Sequence, residues 1–559
     1  MPDLSINDWR KLASEDTSIL GIVECDNFSP TSQYLVNDLR KLYQKTYTAD
    51  QRIVILITKD YYLEQPAGLM LQAVQRMVNQ IDISNFFINL ITTNPQIEEE
   101  YSWAMSNIST DPIPFHITRL AGEFTKVLEH NEKEFLWSNV LRNGSFLDKK
   151  MSKQHTDLLF NSKSFCMLPW VSMYTKTDSD VSVCCRSTAN LGDCSKKTLT
   201  EIWNDDVMRQ LRLDMLNNKK IDSCQNCYDR ENIEEDRHSN RLESLKEYGH
   251  LISLVDTTTK NGSVTTNPIW LTTKINNLCN LTCRMCNPTS SSSWHAPAIA
   301  LGLLPKGSKP LLSAGKQSQH MLDQIVPLLP SLDMITFEGG EPLMIEEFWY
   351  ILERLDQLQR YEINLHFNTN LTRSQLKNKS IFDYWKKFNH VYVVASLDGE
   401  GARGEYLRPG APWSDVLKFR QEMIARSPNV FFDVKCTVSI INALHIPDFH
   451  RSWVEKGLIT PQSFILNLLK QPHYLNLRTA PEPLRQQIID KYTRHLEWLL
   501  PLDPRGQSSS CYASAIKFIS APLKFDYDLF WKENGKLDDY HNVELLKIFP
   551  ELSYLCDHP

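Results

Sequence analysis

Apolar runs with the length of β-strands recur between residues 269 and about 470, and segments of helical spacing separate them. Six runs are strand candidates: 269–275, 334–337, 363–368, 391–397, 430–438 and 464–469. Helical patterns lie between them, for example at 345–359, 375–388 and 415–425. This alternation predicts an α/β fold with six units of a parallel barrel, or of an open part of one. Its functional groups would lie at the carboxyl ends of the strands.

Residues 1–150 show the same alternation on a smaller scale. Strand candidates and helical patterns alternate in the order 52–58, 67–81, 86–92, 98–107 and 114–118. The order predicts a small α/β domain with a parallel sheet. It contains no glycine-rich phosphate-binding motif, so we expect a docking or recognition role.

The length of 559 residues exceeds what one hydrophobic core supports and predicts three or four domains. We expect the small α/β domain at 1–150, a cysteine-rich unit at 160–250, the barrel at 265–475 and a C-terminal extension at 476–559. Hydrophobic content of 42% and charged content of 23% are ordinary for a globular protein.

The net charge of -7 gives no basic footprint, so no nucleic-acid partner is expected. The first residues lack the cationic and apolar regions of a signal peptide, and no apolar run reaches membrane-spanning length. These features predict a cytoplasmic protein without a membrane partner. In that compartment the thirteen cysteines are not expected to form disulfides.

The cysteines concentrate in the middle of the chain, which predicts metal chemistry there. Cys279, Cys283 and Cys286 have C-x3-C-x2-C spacing directly after the first barrel strand. Three thiolates can hold three irons of a [4Fe–4S] cluster and leave the fourth iron open. A structural zinc site is the alternative, but it usually has four protein ligands.

This spacing, with the motifs that follow, resembles the radical S-adenosylmethionine superfamily over about 269–470. The resemblance implies a partial (β/α)6 barrel in which Cys279, Cys283 and Cys286 bind the cluster and the open iron takes S-adenosylmethionine. Met285 stands where the family usually has an aromatic residue near the adenine. Gly339-Gly340-Glu341-Pro342 resembles the family's element beside the methionyl amine.

Three further segments resemble cofactor or pocket positions of the family. Ser396, in Ser-Leu-Asp-Gly, is the candidate for the ribose, and Arg408 is the candidate for the methionyl carboxylate. A solvated arginine at a helix end is the alternative for Arg408. Residues 368–370 are expected to line the pocket, and His366 to be a satisfied core or pocket side chain.

The cysteine-rich unit resembles a twitch domain, the shortened relative of the SPASM domain. It has C-x-x-P-W, a Cys-Cys pair, an Ile-Trp-Asn helix and C-x2-C in that order. The resemblance implies an auxiliary [4Fe–4S] cluster with the ligands Cys166, Cys184, Cys224 and Cys227. Cys185 is the alternative to Cys184, and a four-cysteine zinc site is the alternative to the cluster. Related enzymes usually place this domain after the barrel, whereas here it precedes the barrel.

The resemblance implies an enzyme that cleaves S-adenosylmethionine reductively to a 5′-deoxyadenosyl radical, which abstracts hydrogen from a substrate C–H bond. We expect a peptide or amino-acid side chain as substrate, an auxiliary cluster that accepts an electron, and a flavodoxin or ferredoxin as electron donor. The alternatives are dehydrogenation of a carbohydrate or aminocyclitol, and a non-catalytic iron–sulfur scaffold. The sequence assigns no catalytic residue.

Overall fold

The computed structural model describes residues 153–231, 239–503 and 506–556, together with the backbone of four strands nearer the N-terminus. The chain divides into two compact units. The first comprises Met1–Trp170, Arg212–Ile233 and Arg237–Thr259, and the second comprises Val171–Leu211, Glu234–Asp236 and Lys260–Pro559.

A four-stranded parallel sheet lies in the first unit. Its strands, in spatial order, are β1 (Ile19–Cys25), β2 (Arg52–Ile57), β3 (Phe87–Thr92) and β4 (Phe115–Arg119). The parallel sheet is therefore confirmed, with β1 as a strand that the sequence pattern did not predict. The two helical patterns predicted between these strands lie outside the described residues.

A nine-stranded sheet organises the second unit. Its strands are β5 (Ser172–Thr175), β6 (Asp180–Ser182), β7 (Gly192–Asp193), β8 (Trp270–Lys274), β9 (Met334–Glu338), β10 (Asn364–Thr369), β13 (His390–Ser396), β14 (Val430–Val438) and β15 (Phe464–Leu468). The spatial order is β15-β14-β13-β10-β9-β8-β5-β6-β7. The short pair β11 (Gln375–Leu376) and β12 (Lys379–Ser380) forms a separate hairpin. The six strands from β8 to β15 in this sheet are the predicted ones, and all are parallel.

Helices connect the strands and extend the chain beyond them. In the described residues they are α1 (Lys153–Thr156), α2 (Leu168–Val171), α3 (Leu199–Trp203), α4 (Asp206–Leu216), α5 (Gln225–Glu231), α6 (Asn240–Tyr248), α7 (His295–Ala300), α8 (Ser318–Ile325), α9 (Glu346–Gln357), α10 (Ile381–Trp385), α11 (Ala402–Leu407), α12 (Trp413–Arg426), α13 (Ile446–Glu455), α14 (Glu482–Leu499), α15 (Gln507–Ile519), α16 (Tyr527–His541) and α17 (Leu545–Ile548). None of the helices in these ranges combines the length and the hydropathy that crossing a membrane requires.

The two faces of the parallel sheet differ in character. On one face Phe337 and Phe367 stack at 4.6 Å, and they pack against Phe348 of α9 and Trp385 of α10. Successive side chains of a strand point to opposite faces. In β10 the buried positions alternate with half-buried ones, which are occupied by Asn364, His366 and Asn368. The sheet is thus covered by helices on one side and presents polar groups on the other.

The cysteine-bearing hairpin is part of the same sheet. Strand β5 pairs in parallel with β8, with Ser172 opposite Trp270 and Tyr174 opposite Thr272. Strands β6 and β7 then continue the sheet with antiparallel pairing. The hairpin that leads to Cys184 and Cys185 is therefore continuous with the first barrel strand, although it comes earlier in the chain.

Candidate functional site

The three barrel cysteines lie in one loop that follows the carboxyl end of β8. Leu281, Cys283 and Ala411 form a small buried cluster, and Cys279, Met285 and Cys286 pack against it. Strand β8 pairs with β9 up to Lys274 and Glu338, so the loop emerges where a parallel α/β sheet places its ligands. The structure thus brings all three predicted ligands and Met285 together.

Backbone hydrogen bonds connect the cysteine loop to the last residue of α11 and to the segment that follows it. The amide of Thr282 donates to the carbonyl of Pro409 at 3.0 Å, and that of Arg284 donates to Leu407 at 3.0 Å. Gly410 has a φ of +98°, and a Cβ there would lie 2.7 Å from the carbonyl oxygen of Asn280. Glycine is needed at this position because a side chain would collide with the backbone of the cysteine loop.

Arg284, between the second and third cysteines, connects the loop to the C-terminal extension. Its guanidinium is buried, lies 3.6 Å from the centre of the Tyr406 ring and forms an ion pair with Asp538 of α16. The hydroxyl of Tyr406 donates to the same carboxylate at 2.8 Å, and the amide of Leu545 donates to its other oxygen at 2.8 Å. Sequence reasoning missed this network, because its partners lie about 250 residues apart without a motif to join them.

Burial disfavours the thiolate form of the barrel cysteines. Burial raises the pKa of Cys279 to about 11 and that of Cys283 to about 12. Thiolates are the form that binds metal, so these cysteines need a strong local positive charge to lose their protons. Soft thiolate donors at such a site suit iron–sulfur clusters and zinc. Among the described residues, no three His, Cys, Asp or Glu side chains form a group that could hold a single metal ion.

The two glycines at the end of β9 pack against the chain that enters the cysteine loop. A Cβ on Gly340 would lie 2.1 Å from the carbonyl oxygen of Leu278. Gly339 has a φ of +140°, and a Cβ there would lie 2.7 Å from the oxygen of Asn276. The amide of Glu341 also donates to Leu278 at 2.7 Å. Because Gly339 and Gly340 have no side chains, the segments that follow the two neighbouring strands can approach each other. The contact of these glycines with the methionyl amine stays a prediction.

Glu341 is buried and binds the neighbouring strand end. Its carboxylate accepts hydrogen bonds from the Thr369 hydroxyl at 2.7 Å, the Asn370 amide at 2.7 Å and the Leu343 amide at 3.1 Å. Burial raises its pKa to about 7, against the effect of these donors. In this structure the hydrogen bonds of Glu341 stabilise the end of β10. Its role in cofactor binding stays a prediction.

Arg408 lies beside the cysteines and is not a solvated arginine. Its side chain is largely buried, and its Nε lies 2.7 Å from Oδ2 of the fully buried Asp398. Its Nη1 lies 3.7 Å from Sγ of Cys283. Asp398 is held in turn by the backbone amide of Thr437 at 2.7 Å. A fixed guanidinium at this distance favours the negative charge of a thiolate.

Ser396 occupies the carboxyl end of β13, opposite Lys435 of β14. Strands β9 and β10 separate β13 from β8 in the sheet, so Ser396 and the cysteine loop follow strands three positions apart. Both follow carboxyl ends of parallel strands. The assignment of Ser396 to the ribose stays a prediction.

A polar cluster at the carboxyl end of the open sheet face centres on Glu338. Its carboxylate accepts hydrogen bonds from Asn368 at 2.8 Å and from the Tyr174 hydroxyl at 3.3 Å, and Lys274 lies 3.6 Å away. On the same face the rings of His366 and Tyr392 lie 5.1 Å apart, and desolvation lowers the pKa of His366 to about 4. Sequence analysis assigned no role to Glu338, Lys274 or Tyr174. The sequence did contain a signal for this cluster, namely polar residues at alternate positions of β9 and β10. A parallel strand that is covered on both faces is apolar throughout, so the alternation indicates one open face.

Three of the predicted auxiliary ligands lie in the first unit. Cys166 is buried, with its sulfur 3.2 Å from the hydroxyl of Ser244. Cys224 ends a 3-10 helix and Cys227 lies in the first turn of α5. Burial, followed by the charge of Cys227, raises the pKa of Cys224 to about 11. Both Cys224 and Cys166 act electrostatically on Tyr228, whose pKa burial raises to about 12.

The hairpin cysteines lie in the second unit, after β6. Cys184 is half-buried, and its carbonyl accepts a hydrogen bond from the Ser182 hydroxyl at 3.0 Å, whereas Cys185 is exposed. Both cysteines act electrostatically on Tyr174, although its burial and Glu338 do more to raise its pKa. The choice between the two as auxiliary ligand stays open.

Comparison with known protein families identifies the cysteine-rich unit. Residues 166–228 match the family model of SPASM, described as an iron-sulfur cluster-binding domain. This stretch is a SPASM domain. The match confirms the predicted resemblance of this cysteine-rich unit to a SPASM-like domain. The match spans all four predicted auxiliary ligands together with Cys185.

Two solved structures are similar to part of this chain. Native anSMEcpe with bound AdoMet and Cp18Cys peptide is 16% identical over 46% of this chain and 63% of that chain, with a TM-score of 0.29. Streptococcus suis SuiB bound to precursor peptide SuiA is 15% identical over 48% of this chain and 53% of that chain, with a TM-score of 0.28. In each case the match spans less than two thirds of the other protein. No curated protein matches the chain.

Proposed function

We propose that this protein is a radical S-adenosylmethionine enzyme that abstracts hydrogen from a C–H bond of a peptide or amino-acid side chain. The observation that carries the proposal is the cysteine loop. Three thiols lie together after the first of the six parallel barrel strands, with Cys283 buried and Cys279 and Cys286 half-buried. They lie next to Arg408 and to the glycine pair that follows the second barrel strand.

The residues of the loop fit a cluster with one open iron, and each would have a separate task. Cys279, Cys283 and Cys286 would hold three irons, while Arg408 and Asp398 keep a fixed positive charge beside Cys283. Met285 and the backbone of Gly339 and Gly340 would line the space for S-adenosylmethionine. When bound and reduced, the cluster and S-adenosylmethionine supply a 5′-deoxyadenosyl radical.

The open face of the sheet is the proposed place for the substrate. Close to the strand ends it presents the carboxylate of Glu338, the ammonium group of Lys274, side-chain amides and hydroxyls. The charges of Glu338 and Lys274 balance each other. Peptide groups both donate and accept hydrogen bonds, and a charge-balanced set of donors and acceptors can satisfy them. The neutral ring of His366 adds a donor or acceptor that does not change charge near neutral pH.

The auxiliary cluster is proposed to accept an electron from the substrate after hydrogen abstraction. Four thiolates leave no open iron for binding substrate, so electron transfer is the role that remains. One supporting observation is that β5 pairs directly with β8. Another is that the Tyr174 hydroxyl donates to Glu338, while burial and, to a lesser extent, the charges of Cys184 and Cys185 raise the pKa of the same tyrosine. A one-electron donor of the flavodoxin or ferredoxin type would reduce the barrel cluster.

The proposal is tested with protein reconstituted anaerobically with iron and sulfide and then reduced with dithionite. The parent should contain about eight irons per chain, as two [4Fe–4S] clusters require, and should release 5′-deoxyadenosine from S-adenosylmethionine. Replacing Cys279, Cys283 and Cys286 by Ala should leave about four irons and abolish release.

The matched control is Cys511→Ala, since Cys511 lies in α15 and bonds the carbonyl of Gln507 instead of facing the loop. It should behave as the parent does. Release of 5′-deoxyadenosine by the triple variant at the parental rate would refute the proposal.

A further inference from the structure

The distribution of charge around the cysteine loop is strongly uneven. Residues 257–322 contain no aspartate or glutamate but six lysines and arginines. With 67 carboxylate residues in 559, a stretch of 66 residues would ordinarily contain about eight. The protein as a whole has a net charge of -7, so this segment is a local exception. Such an asymmetry attracts a partner of opposite charge.

Much of the unpaired positive charge lies in one surface loop, residues 301–314, which we call the lysine loop. Lys306 and Lys309 are exposed, and neither forms an ion pair within the described part of the chain. By contrast, Lys274 and Arg284 of the same acid-free segment are paired with Glu338 and Asp538. The lysine loop therefore supplies charge that is available to a partner.

The lysine loop also exposes two large apolar side chains. Leu303 is 60% exposed and Leu311 is 46% exposed. Apolar contacts flanked by lysines suit a transient protein interface, in which charge guides the encounter and a few apolar side chains hold it.

The lysine loop is firmly attached to the chain that enters the cysteine loop. Asn277, fully buried, accepts from the amide of Leu312 at 2.8 Å and donates its own amide to the Leu312 carbonyl at 3.1 Å. The amide of Ala314 donates to Ile275 at 2.8 Å, and His295 bonds the carbonyl of Ser308 at 2.7 Å. The surface presented to a partner is thus held at a fixed place relative to the cysteines.

The underside of the lysine loop packs on the same apolar cluster as Cys286. Trp294, Ala298 and Leu537 form this cluster, and Leu301, Leu304 and Cys286 pack against it. The indole of Trp294 donates to the carbonyl of Cys283 at 2.9 Å. The lysine loop and Cys286, a proposed cluster ligand, therefore pack against the same three buried side chains. Because electron transfer slows steeply with distance, a redox partner that docks here would be well placed.

We infer that the lysine loop is the docking surface for the electron donor, a small acidic protein that carries a reduced flavin or iron–sulfur centre. This inference rests on the proposed function. One electron leaves the donor's reduced centre and enters the cluster held by Cys279, Cys283 and Cys286, and no atoms are transferred. A weak, charge-guided interface is typical of such electron-transfer complexes.

The test compares two reductants on the full-length reconstituted protein, with cluster reduction followed by visible absorbance and by electron paramagnetic resonance. The variant Lys306→Glu/Lys309→Glu should be reduced by flavodoxin hydroquinone at least about tenfold more slowly than the parent at low ionic strength. The difference should shrink as salt is added. Photoreduced deazariboflavin, a small uncharged reductant, should reduce both proteins at the same rate.

The matched control is Lys386→Glu/Lys418→Glu, which changes the net charge equally at the end of α10 and on α12. It should keep the parental rate with flavodoxin. Two results would overturn the inference: a parental flavodoxin rate in the lysine-loop variant, or equal slowing with both reductants. A parental flavodoxin rate together with an altered oligomeric state in sedimentation would assign the loop to a second copy of this chain. A parent without deazariboflavin-dependent cleavage of S-adenosylmethionine would instead contradict the proposed function.

Discussion

At the scale of single residues, Arg284 explains why the C-terminal extension matters for a loop that lies 250 residues earlier. Its guanidinium is buried between Tyr406 and Asp538, and its backbone lies between two cysteines. Removing one partner of a buried ion pair leaves an uncompensated charge, which typically costs about 3–5 kcal/mol. The position of Cys283 and Cys286 should therefore depend on a carboxylate in α16.

We predict that Asp538→Asn lowers the free energy of unfolding by about 3 kcal/mol and weakens retention of the barrel cluster, because Arg284 loses its counter-charge. The amide oxygen of the asparagine keeps an acceptor for Tyr406, while the hydrogen bond from the Leu545 amide to the other carboxylate oxygen is lost together with the charge. Chemical denaturation and iron counting after gel filtration measure it. The control Glu533→Gln makes the same change on the same helix at a surface pair with Lys536 and should cost less than about 1 kcal/mol. Equal losses from both variants would refute the role of Asp538.

Motif spacing predicted the cysteines and the family resemblance pointed to Arg408, and the structure places Arg408 beside Cys283. Spacing did not predict the partners of Arg284, nor the cluster around Glu338, because each joins residues from distant strands or helices. It also did not predict that the Glu341 carboxylate binds the Thr369 hydroxyl of β10 and the Asn370 amide after it. A sequence reveals which residues are available for chemistry, but burial and pairing decide how each is used.

At the scale of elements, the pairing of β5 with β8 has the largest functional consequence. The position of the SPASM domain before the barrel left open where its hairpin, which includes β5, lies relative to β8. Because β5 is the direct neighbour of β8, Tyr174 of β5 reaches Glu338 of β9 across one intervening strand. The six barrel strands were predictable from apolar runs. The added hairpin was not, since β6 and β7 are only three and two residues long.

We predict that Cys184→Ala reduces the iron content from about eight to about four per chain, while Cys185→Ala leaves it unchanged. The half-buried Cys184 is better shielded from water than the exposed Cys185, and a cluster ligand is usually shielded. The two variants serve as each other's control, as they remove the same thiol one residue apart. Iron and sulfide analysis measures the outcome, and the reverse pattern would assign Cys185 as the ligand.

At the scale of the whole molecule, the chain joins an N-terminal sheet, an iron–sulfur domain and a parallel sheet with a C-terminal helical extension. The six barrel strands and the existence of the cysteine-rich unit followed from the sequence, because both have local patterns. The division of the chain into its two compact units did not follow, because each combines segments that are distant in sequence. In the first unit, residues 153–162 contact segments around residues 218 and 256. The place at which the chain can be shortened therefore depends on contacts between segments that are distant in sequence.

These contacts predict where the chain tolerates shortening. His155 bonds Asp256 at 2.8 Å, and the Ser162 hydroxyl donates to Asn218 at 2.7 Å and accepts from the Phe165 amide beside Cys166 at 2.9 Å. A protein that begins at Ser152 keeps all of them and should retain about eight irons and parental 5′-deoxyadenosine release. Turnover of the substrate should fall, as expected if residues 1–150 recognise it.

A protein that begins at Lys163 lacks the Ser162 contacts and should retain only about four irons, because the segment that carries Cys166 is no longer held. Iron analysis and product quantification on the two proteins separate the cases, and equal iron contents would contradict this account of the first unit.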